Sequence, residues 1–260
     1  KKNLNTNGFD KDYYLRAYFD NGDKLGSYKN KECKIDLISQ AFSILSGVAD
    51  KDKYDMIVDS VEKNLVDKDA KIIKLLDPAF DKSLNNPGYI KSYPKGIREN
   101  GGQYTHATSW YIMALIKAGY KAKAYEYYQM INPVNRSLNK NSTDIYKVEP
   151  YVVAADIYSS SYFKARGGWT WYTGSAAWYY RVGIEEILGF KRHGSILKLD
   201  EKISSSIGNY EINYKYMDAT YNIKVIFDSK NEIVLNGKTV KEIKLESKGV
   251  FVVYVYRRKN

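Results

Sequence analysis

The chain has 260 residues, of which 44% are hydrophobic and 27% are charged. This composition is that of a globular protein with a core, and it excludes an intrinsically disordered chain. The net charge of +11 raises the question of nucleic-acid binding. However, lysines alternate with acids along the chain and no basic run reaches five residues. We therefore expect a solvated lysine-rich surface and no nucleic-acid partner, whereas an anionic small ligand fits the charge equally well.

Cysteine and apolar patterning exclude several further classes of protein. The single cysteine, Cys33, cannot form an intramolecular disulfide, so we expect a cytoplasmic protein. No apolar run approaches the roughly 18 residues of a membrane span and no signal peptide is visible, so no membrane partner is expected. Two distant histidines and one cysteine predict no transition-metal site. Phosphate-loop and dinucleotide fingerprints are also absent, so the sequence predicts no metal and no organic cofactor.

In chain order, the first predicted element is a β-hairpin over 13–27, built around Asp20-Asn21-Gly22. Apolar residues at helical spacing then predict a scaffold of helices joined by long loops at 77–102 and 131–148. In the first helix the predicted buried stripe is Ile35, Ile38, Phe42 and Leu45, and in the second Asp50 or Asp52 is the candidate cap. The predicted helices cover 35–47, 53–66, 106–119, a short segment after Gly119, and 174 to about 188.

After residue 194 the apolar period changes from helical to two, which is typical of strands. Turn signals at Asn236-Gly237 and Lys248-Gly249 separate the strands. The segment is short and its strands are sequential, so we expect a small antiparallel, sandwich-like β-module. The predicted domains are therefore a helical one at 1–193 and a β-module at 194–260.

The first stretch that can carry chemistry is GIRENGGQYTHATSW at 96–110. Arg98 and Glu99 precede a Gly-Gly turn that can bring backbone close to a ligand, and Gln103 and His106 follow as the chain enters a helix. The N-terminus of a helix that carries a histidine, with an arginine nearby, can bind an anion. The alternative is a capped helix whose histidine is hydrogen-bonded to a loop carbonyl, and the spacing leaves both readings open.

The second stretch is GGWTWYTGSAAW at 167–178, in which Thr173 and Ser175 stand at a glycine-marked helix start. Two hydroxyls and free N–H groups there can bind an oxyanion. The alternative is a structural role, in which one hydroxyl caps the N-terminus of the helix and the tryptophans pack in the core. Read together, both stretches favour an anion with aromatic walls. Four further polar residues are each interpreted as structural: Glu149, Asp156, Asp36 and Gln40.

An ordered series of segments resembles the inverting sugar phosphorylases of glycoside hydrolase family 94. The resemblance covers roughly residues 9 to 200 and is strongest toward 1,2-β-oligoglucan phosphorylases and the C-terminal phosphorylase-like domain of cyclic β-1,2-glucan synthases. It implies a mainly α fold: the C-terminal part of an (α/α)6 barrel with an inserted β-hairpin, followed by the β-module. The segments are AYFDNGDKLGS, ECKIDLISQAFSILSG, PGYIKSYPKGIRENGGQYTHATSW, INPVNR, EPYVVAADIY and RGGWTWYTGSAAWYYR.

The resemblance also implies roles for individual residues. The family's phosphate-binding histidine falls on His106, and its Gly-Thr/Ser phosphate contact falls on Gly174 and Ser175, with Thr173 beside them. The basic residue that contacts sugar in relatives falls on Arg98. Three neighbours are assigned to the sugar side with it: Glu99, Gln103 and Tyr172. The implied ligands are a β-glucan oligosaccharide and inorganic phosphate, the latter as co-substrate.

The chemistry that this resemblance implies needs one carboxylic acid. An inverting hydrolase uses an acid for the leaving oxygen and a base for water, whereas phosphate is already an anionic nucleophile and replaces water and base. The family's acid lies in an Asp-Trp-Asn-Asp-Gly-type motif, and no tryptophan here (110, 169, 171 or 178) is followed by Asn-Asp. We therefore expect a C-terminal portion of a phosphorylase, arising as a truncation, a split gene product, a proteolytic fragment or one chain of a complex.

An incomplete barrel leaves apolar faces open, so we expect an oligomer or a partner that supplies the N-terminal half. Two alternatives stay open: a non-catalytic glucan- or phosphate-binding module, and a helical interaction protein that retains only remnants of the motifs.

The first prediction concerns activity. The isolated chain should release no glucose 1-phosphate from β-1,2-linked gluco-oligosaccharides and phosphate, because no residue matches the family's acid. A coupled assay for glucose 1-phosphate checks this, and release by the pure chain would show that another carboxyl, such as Asp36 or Asp156, serves as the acid.

Overall fold

The computed structural model describes residues 1–171, 174–199 and 207–258. The chain divides into two compact units, Lys1–Tyr180 and Arg181–Asn260. This division falls earlier than the predicted domain boundary at 193, because the segment after Tyr180 groups with the strands that follow it.

Helices provide the scaffold of the first unit. The helix Leu37–Leu45 contacts both Tyr54–Leu65 and Thr105–Ala118, and Thr105–Ala118 also contacts Lys121–Met130. Single helical turns occur at Leu4–Gly8, Lys51–Lys53, Gly88–Ser92 and Asn135–Ser137, with another at Val182–Ile187 in the second unit. The α-helices are α1 (Leu37–Leu45), α2 (Tyr54–Leu65), α3 (Thr105–Ala118), α4 (Lys121–Met130), α5 (Lys140–Tyr146) and α6 (Gly174–Arg181).

Short antiparallel strand pairs connect these helices. The pairing of Ala17–Tyr18 with Lys24–Leu25 confirms the hairpin predicted around Asp20-Asn21-Gly22. The pairs are β1 (Phe9–Asp10) with β2 (Tyr13–Tyr14), β3 (Ala17–Tyr18) with β4 (Lys24–Leu25), β5 (Ile35–Asp36) with β8 (Leu76–Asp77), β6 (Val66–Asp67) with β7 (Ile72–Ile73), and β9 (Gln103–Tyr104) with β10 (Asp156–Ile157).

The predicted helices are found at the predicted positions, but one helix was not predicted and the predicted caps of another are not used. The end of α3 is confirmed, since Gly119 adopts a left-handed φ of 99° after its last turn. The segment 131–148 is not all loop, because Asn139 accepts a hydrogen bond from the Ser142 N–H and forms a capping box that starts α5. Neither predicted cap of the second helix makes a side-chain capping bond: α2 follows Lys53 directly.

The buried stripe of α1 is out of phase with the prediction. Phe42 is exposed, and the buried face carries Leu37, Ala41 and Ile44 together with a glutamine. That glutamine, Gln40, donates to the Tyr14 carbonyl at 2.7 Å and accepts from the Tyr14 N–H at 2.9 Å. A polar side chain can lie on the buried face because it completes the hydrogen bonding of β2, a contact that apolar spacing alone does not show. The interpretation of Gln40 as structural is confirmed.

The fold of the first unit is mixed α and β rather than mainly α. The two-residue strands are too short to give a period-two signal in the sequence. Within the described residues, α1 to α6 do not close a barrel. No helix in the same part of the chain is both long and apolar enough to cross a membrane.

The second unit consists of two sheets around one apolar core. The strands are β11 (Phe190–His193), β12 (Ile196–Leu199), β13 (Tyr210–Tyr216), β14 (Asp218–Asp228), β15 (Glu232–Leu235), β16 (Lys238–Val240), β17 (Ile243–Lys244) and β18 (Lys248–Arg258). A three-stranded antiparallel sheet has the order β11-β12-β17, and a five-stranded sheet has the order β13-β14-β18-β15-β16. Side chains from both sheets form one buried cluster, including Leu197, Ile243, Tyr221 and Val253.

One part of the β-module prediction is wrong: its sheet is not purely antiparallel. Strands β14 and β18 pair in parallel along their whole length, from Asp218–Lys248 to Asp228–Arg258. The intervening segment 229–247 is longer than the dozen or so residues that a parallel connection needs. The turn at Asn236-Gly237 is confirmed by left-handed φ angles of 47° and 80°. The predicted turn at Lys248-Gly249 is wrong, since both residues lie in β18.

The second prediction concerns the start of α1. Asp36 accepts hydrogen bonds from the N–H groups of Ile38 and Ser39, so D36A should lower the free energy of unfolding by about 0.5–2 kcal/mol. D36N keeps an oxygen that can cap and should stay close to wild type. Urea unfolding measures both. The matched control is D52A, which removes a predicted cap that makes no capping bond and should change stability by less than about 0.5 kcal/mol.

Candidate functional site

The turn that carries Arg98 is fixed from within the first unit. Asn100 is fully buried; it accepts from the Phe80 N–H at 2.7 Å and donates to the carbonyls of Phe80 and Tyr93. Gly101 has a φ of 89°, and a Cβ there would lie 2.9 Å from Ala79 Cβ. The close packing and the left-handed backbone explain why Asn-Gly follows Arg98-Glu99. Arg98 itself has a left-handed φ of 47°.

The guanidinium of Arg98 lies against two aromatic rings. Its Cζ is 5.7 Å from the Tyr93 ring centroid and 5.2 Å from that of Trp169. Contacts of this length are favourable cation–π interactions. They join the first glycine-rich stretch to the second, because Arg98 belongs to 96–110 and Trp169 to 167–178.

Asp156 lies at the same junction. It is 1% exposed, and its Oδ1 accepts from the Trp169 N–H at 3.0 Å. Burial raises the pKa of this carboxyl above its ordinary value, against the opposing effects of the Trp169 hydrogen bond and the Arg98 charge. A Cβ at Gly168 would lie 2.6 Å from Asp156 Oδ2, so only glycine leaves room for the carboxylate.

The backbone around Asp156 forms a short ladder between the two stretches. On one side Asp156 pairs with Tyr104, and the Thr105 N–H donates to the Ala155 carbonyl at 2.9 Å. On the other side the Ala155 N–H donates to the Trp169 carbonyl, and Gly168 donates to Asp156. The segment 155–157 therefore holds both stretches in one sheet-like arrangement.

His106 is the second residue of α3 and lies beside aromatic rings. Its ring centroid is 4.4 Å from that of Trp110 and 5.9 Å from that of Trp178. The Tyr104 ring also stacks on His106, with the ring centroids 6.3 Å apart. Burial lowers the pKa of His106 below its ordinary value, so the neutral imidazole is favoured at neutral pH.

The start of α6 reaches His106. A Cβ at Gly174 would lie 3.2 Å from His106 Cε1, so the two stretches meet at this point. Ser175 follows at 2% exposure in the first turn of the helix. The two helix entries that the sequence predicts as an anion site are thus neighbours.

Several buried polar atoms at this site have no hydrogen-bond partner among the described residues. A buried polar atom without a partner costs about 1–3 kcal/mol, so a group of them indicates positions where a ligand can bind. Three buried polar atoms elsewhere in the first unit also lack partners, on Tyr111, Arg136 and Ser137. The site atoms are Glu99 Oε2, His106 Nε2, Trp110 Nε1, Asp156 Oδ2 and Ser175 Oγ.

These atoms suit a polar ligand that both donates and accepts. Trp110 Nε1 can only donate and the Ser175 hydroxyl can do both, which fits an oxyanion, whereas the carboxylate oxygens of Glu99 and Asp156 fit hydroxyl groups. The described residues contain no cluster of three or more His, Cys, Asp or Glu that could hold a metal ion.

The structure brings together some of the residues assigned from the sequence. His106, Gly174 and Ser175 converge, and Arg98 and Glu99 lie at the Asp156 junction. Gln103 is fully buried, where it accepts from the Ile73 N–H at 3.2 Å and donates to Thr105 Oγ1, so its amide serves the core of the first unit. Tyr172 and Thr173 lie outside the described residues.

Other residues of the site were not assigned to it from the sequence. Tyr104, Trp110 and Asp156 all contribute to it, and the sequence signal for each was present but weak. Trp110 follows His106 at the i, i+4 spacing that brings helical side chains into contact, and Tyr104 immediately precedes α3. Asp156 was interpreted as structural, which agrees with its hydrogen bond to the Trp169 N–H, but its partners lie on two distant segments that no local pattern reveals. Glu149, which was also interpreted as structural, accepts a hydrogen bond from Trp171 Nε1 at 3.0 Å.

Comparison with known proteins identifies the family. The sequence profile of the glycosyl hydrolase 94 superfamily, catalytic domain, matches residues 1–189. The chain belongs to this superfamily. Its resemblance to the family's phosphorylases is thereby confirmed.

Three relatives illustrate the range of the family. Cyclic beta-(1,2)-glucan synthase NdvB of Rhizobium meliloti (strain 1021) is 44% identical over 231 residues, which is 89% of this chain and 8% of the relative. Solabiose phosphorylase of Paenibacillus borealis is 32% identical over 73% of this chain and 24% of its own length. N,N'-diacetylchitobiose phosphorylase of Vibrio proteolyticus is 26% identical over 88% and 29%. The chain therefore spans less than a third of each of these curated relatives.

The third prediction tests the junction. G168A should lower the free energy of unfolding by about 1–3 kcal/mol, because its Cβ overlaps the Asp156 carboxylate. The added cost should shrink in a D156A background, since the overlap is gone. Urea unfolding of the double-mutant cycle measures the coupling, and equal costs in both backgrounds would contradict this packing. The control is G8A, whose Cβ would make ordinary contacts at 3.8 and 3.9 Å and should change stability by less than about 1 kcal/mol.

Proposed function

We propose that this chain is the phosphate- and glucan-binding portion of an inverting phosphorylase that releases glucose 1-phosphate from β-linked gluco-oligosaccharides. The observation that carries the proposal is the cluster of unpartnered polar atoms where His106 meets the start of α6. The β-1,2 linkage is proposed from the 44% identity to cyclic beta-(1,2)-glucan synthase NdvB.

Inorganic phosphate is proposed to bind between the entries of α3 and α6. Ser175 Oγ and His106 Nε2 are both buried and have no hydrogen-bond partner among the described residues, and free N–H groups in the first turn of a helix favour an anion. Gly174 and Thr173 are assigned to the same site. Gly174 has no side chain that would crowd His106, and Thr173 is assigned from the family motif. Phosphate is thus a co-substrate and supplies the nucleophile.

The sugar is proposed to bind on the side of Arg98 and Glu99. Trp169 is 52% exposed and can stack against a pyranose ring, while Arg98 and the Glu99 carboxylate can hydrogen-bond its hydroxyls. Asp156 positions this group, because it binds the Trp169 backbone and faces Arg98. Holding phosphate and sugar in a fixed relative position is the main contribution these residues can make to the rate.

The acid that protonates the leaving oxygen is proposed to come from residues outside this chain, in a preceding segment or a partner chain. We further propose that the helices of the first unit are part of an (α/α)6 barrel completed by those residues. An oligomer and a cytoplasmic location remain the expectation.

The fourth prediction separates ligand binding from structure. S175A should weaken phosphate binding by about 1.5–3 kcal/mol, the range for a hydrogen bond to a charged group. It should not lower stability, because it removes a buried hydroxyl that has no partner among the described residues. Isothermal titration calorimetry and thermal melts measure the two effects. S137A is the matched control: it removes another buried, unpartnered hydroxyl and should leave phosphate binding unchanged. Lost stability with unchanged affinity in S175A would contradict the proposal.

The fifth prediction concerns pH. Burial lowers the pKa of His106, whereas a bound anion favours the imidazolium. Sulfate, whose charge is constant between pH 5 and 8, should therefore bind more tightly as the pH falls below about 6.5, the ordinary histidine value. H106A should lose this slope. Because His193 is still present in this variant, the loss would assign the slope to His106. Titration calorimetry across this range measures it, and an unchanged slope in H106A would show that another group binds the proton.

A further inference from the structure

A groove of about 710 Å³ lies in the first unit between the end of α5 and the segment that leads into Trp171. It opens broadly to solvent and is not part of the site described above. Its lining combines two carboxylates and a lysine with hydroxyl and apolar groups: Thr143, Asp144, Lys147, Val148, Glu149 and Thr170.

Two large aromatic side chains stand exposed beside this groove. Trp171 is 64% exposed and Tyr151 is 72% exposed. Their ring centroids are 6.3 Å apart at an interplanar angle of 67°, so the rings form a corner. Isolated exposed aromatics are ordinary, but a paired set next to a polar groove indicates a binding surface.

Trp171 is held in place rather than free to rotate. Its Nε1 donates to Glu149 Oε1 at 3.0 Å, and Glu149 lines the groove. Its backbone has a φ of 72°, a left-handed value that costs a residue with a side chain about 1–3 kcal/mol. An apolar indole face is therefore kept in water at an energetic cost, with its one polar atom already bonded inside the protein.

We propose that this groove, with Trp171 and Tyr151, is a second saccharide-binding site that holds the part of a gluco-oligosaccharide beyond the sugar at Arg98. A pyranose ring presents apolar C–H faces that can stack on the indole, and hydroxyls at its edge that Asp144, Lys147 and Thr143 can bind. Two carboxylates against one lysine disfavour an anion, so a neutral polyhydroxylated ligand fits better than phosphate or nucleic acid.

The chain itself places this groove near the candidate site. Trp169 contacts Arg98, Thr170 lines the groove, and Trp171 stands beside it. Two residues span at most about 7 Å of backbone, so a single oligosaccharide is long enough to extend from a sugar stacked at Trp169 to the groove beside Trp171. The identification of the ligand as a glucan rests on the proposed function.

The test compares ligands of different length. A β-1,2-linked disaccharide and a longer oligomer of the same linkage are titrated calorimetrically into the chain in the presence of sulfate. We expect the longer oligomer to bind more tightly. W171A and Y151A should each lower its affinity about tenfold, the effect of losing one aromatic anchor, while disaccharide and sulfate affinities stay unchanged. W171F keeps a ring and should retain most of the gain.

The matched control is Y162A, since Tyr162 is 89% exposed and does not line the groove. Should W171A fail to fold in a thermal melt, Y151A and W171F carry the comparison. Equal affinity for the short and the long ligand in wild type would overturn this inference and leave the proposed function standing. A loss of affinity for both ligands alike in Y151A would also overturn it. Binding of neither saccharide would refute both this inference and the proposed sugar site.

Discussion

The site depends on one constraint: the segment 155–157 lies between the two glycine-rich stretches and is bonded to both. Its backbone pairs with Tyr104 and Thr105 on one side and with Gly168 and Trp169 on the other. The Asp156 carboxylate occupies the space that Gly168 leaves by having no side chain. These contacts hold Tyr104 and Trp169, and the buried Asn100 holds the turn that carries Arg98, so the binding groups are positioned by buried hydrogen bonds and not by the loops alone. Preorganisation of this kind is what catalysis by positioning requires.

The same ladder gives the two ends of the site different electrostatic characters. At the Arg98 end a fixed positive charge lies between aromatic rings and faces a buried carboxyl whose pKa is raised by burial. At the His106 end burial favours a neutral imidazole next to a helix entry. An anion at the second end would therefore be bound by hydrogen bonds from neutral groups in the free protein, and its arrival would favour protonation of His106. Tyr104 connects the ends, since it pairs with Asp156 and stacks on His106.

Local sequence signals predicted every α-helix except α5, as well as the meeting of the two stretches, but not the residues that join these stretches. The helix end at Gly119 and the hairpin around Asn21-Gly22 follow from backbone conformation, which neighbouring residues determine. The burial of Gln40 and the role of Asp156 depend on partners far away in the chain, Tyr14 and Trp169, and no local pattern contains that information. The parallel pairing of β14 with β18 was missed for the same reason, because strand order depends on long-range packing.

The central claim is that His106 and Ser175 together bind an oxyanion. X-ray diffraction from crystals soaked in selenate tests it directly, since selenium marks the anion by its anomalous scattering. The account predicts an anomalous peak within hydrogen-bond distance of both His106 Nε2 and Ser175 Oγ, about 2.7–3.2 Å from nitrogen to selenate oxygen. Selenate found only on exposed lysines, with no peak between the entries of α3 and α6 at saturating concentration, would contradict it.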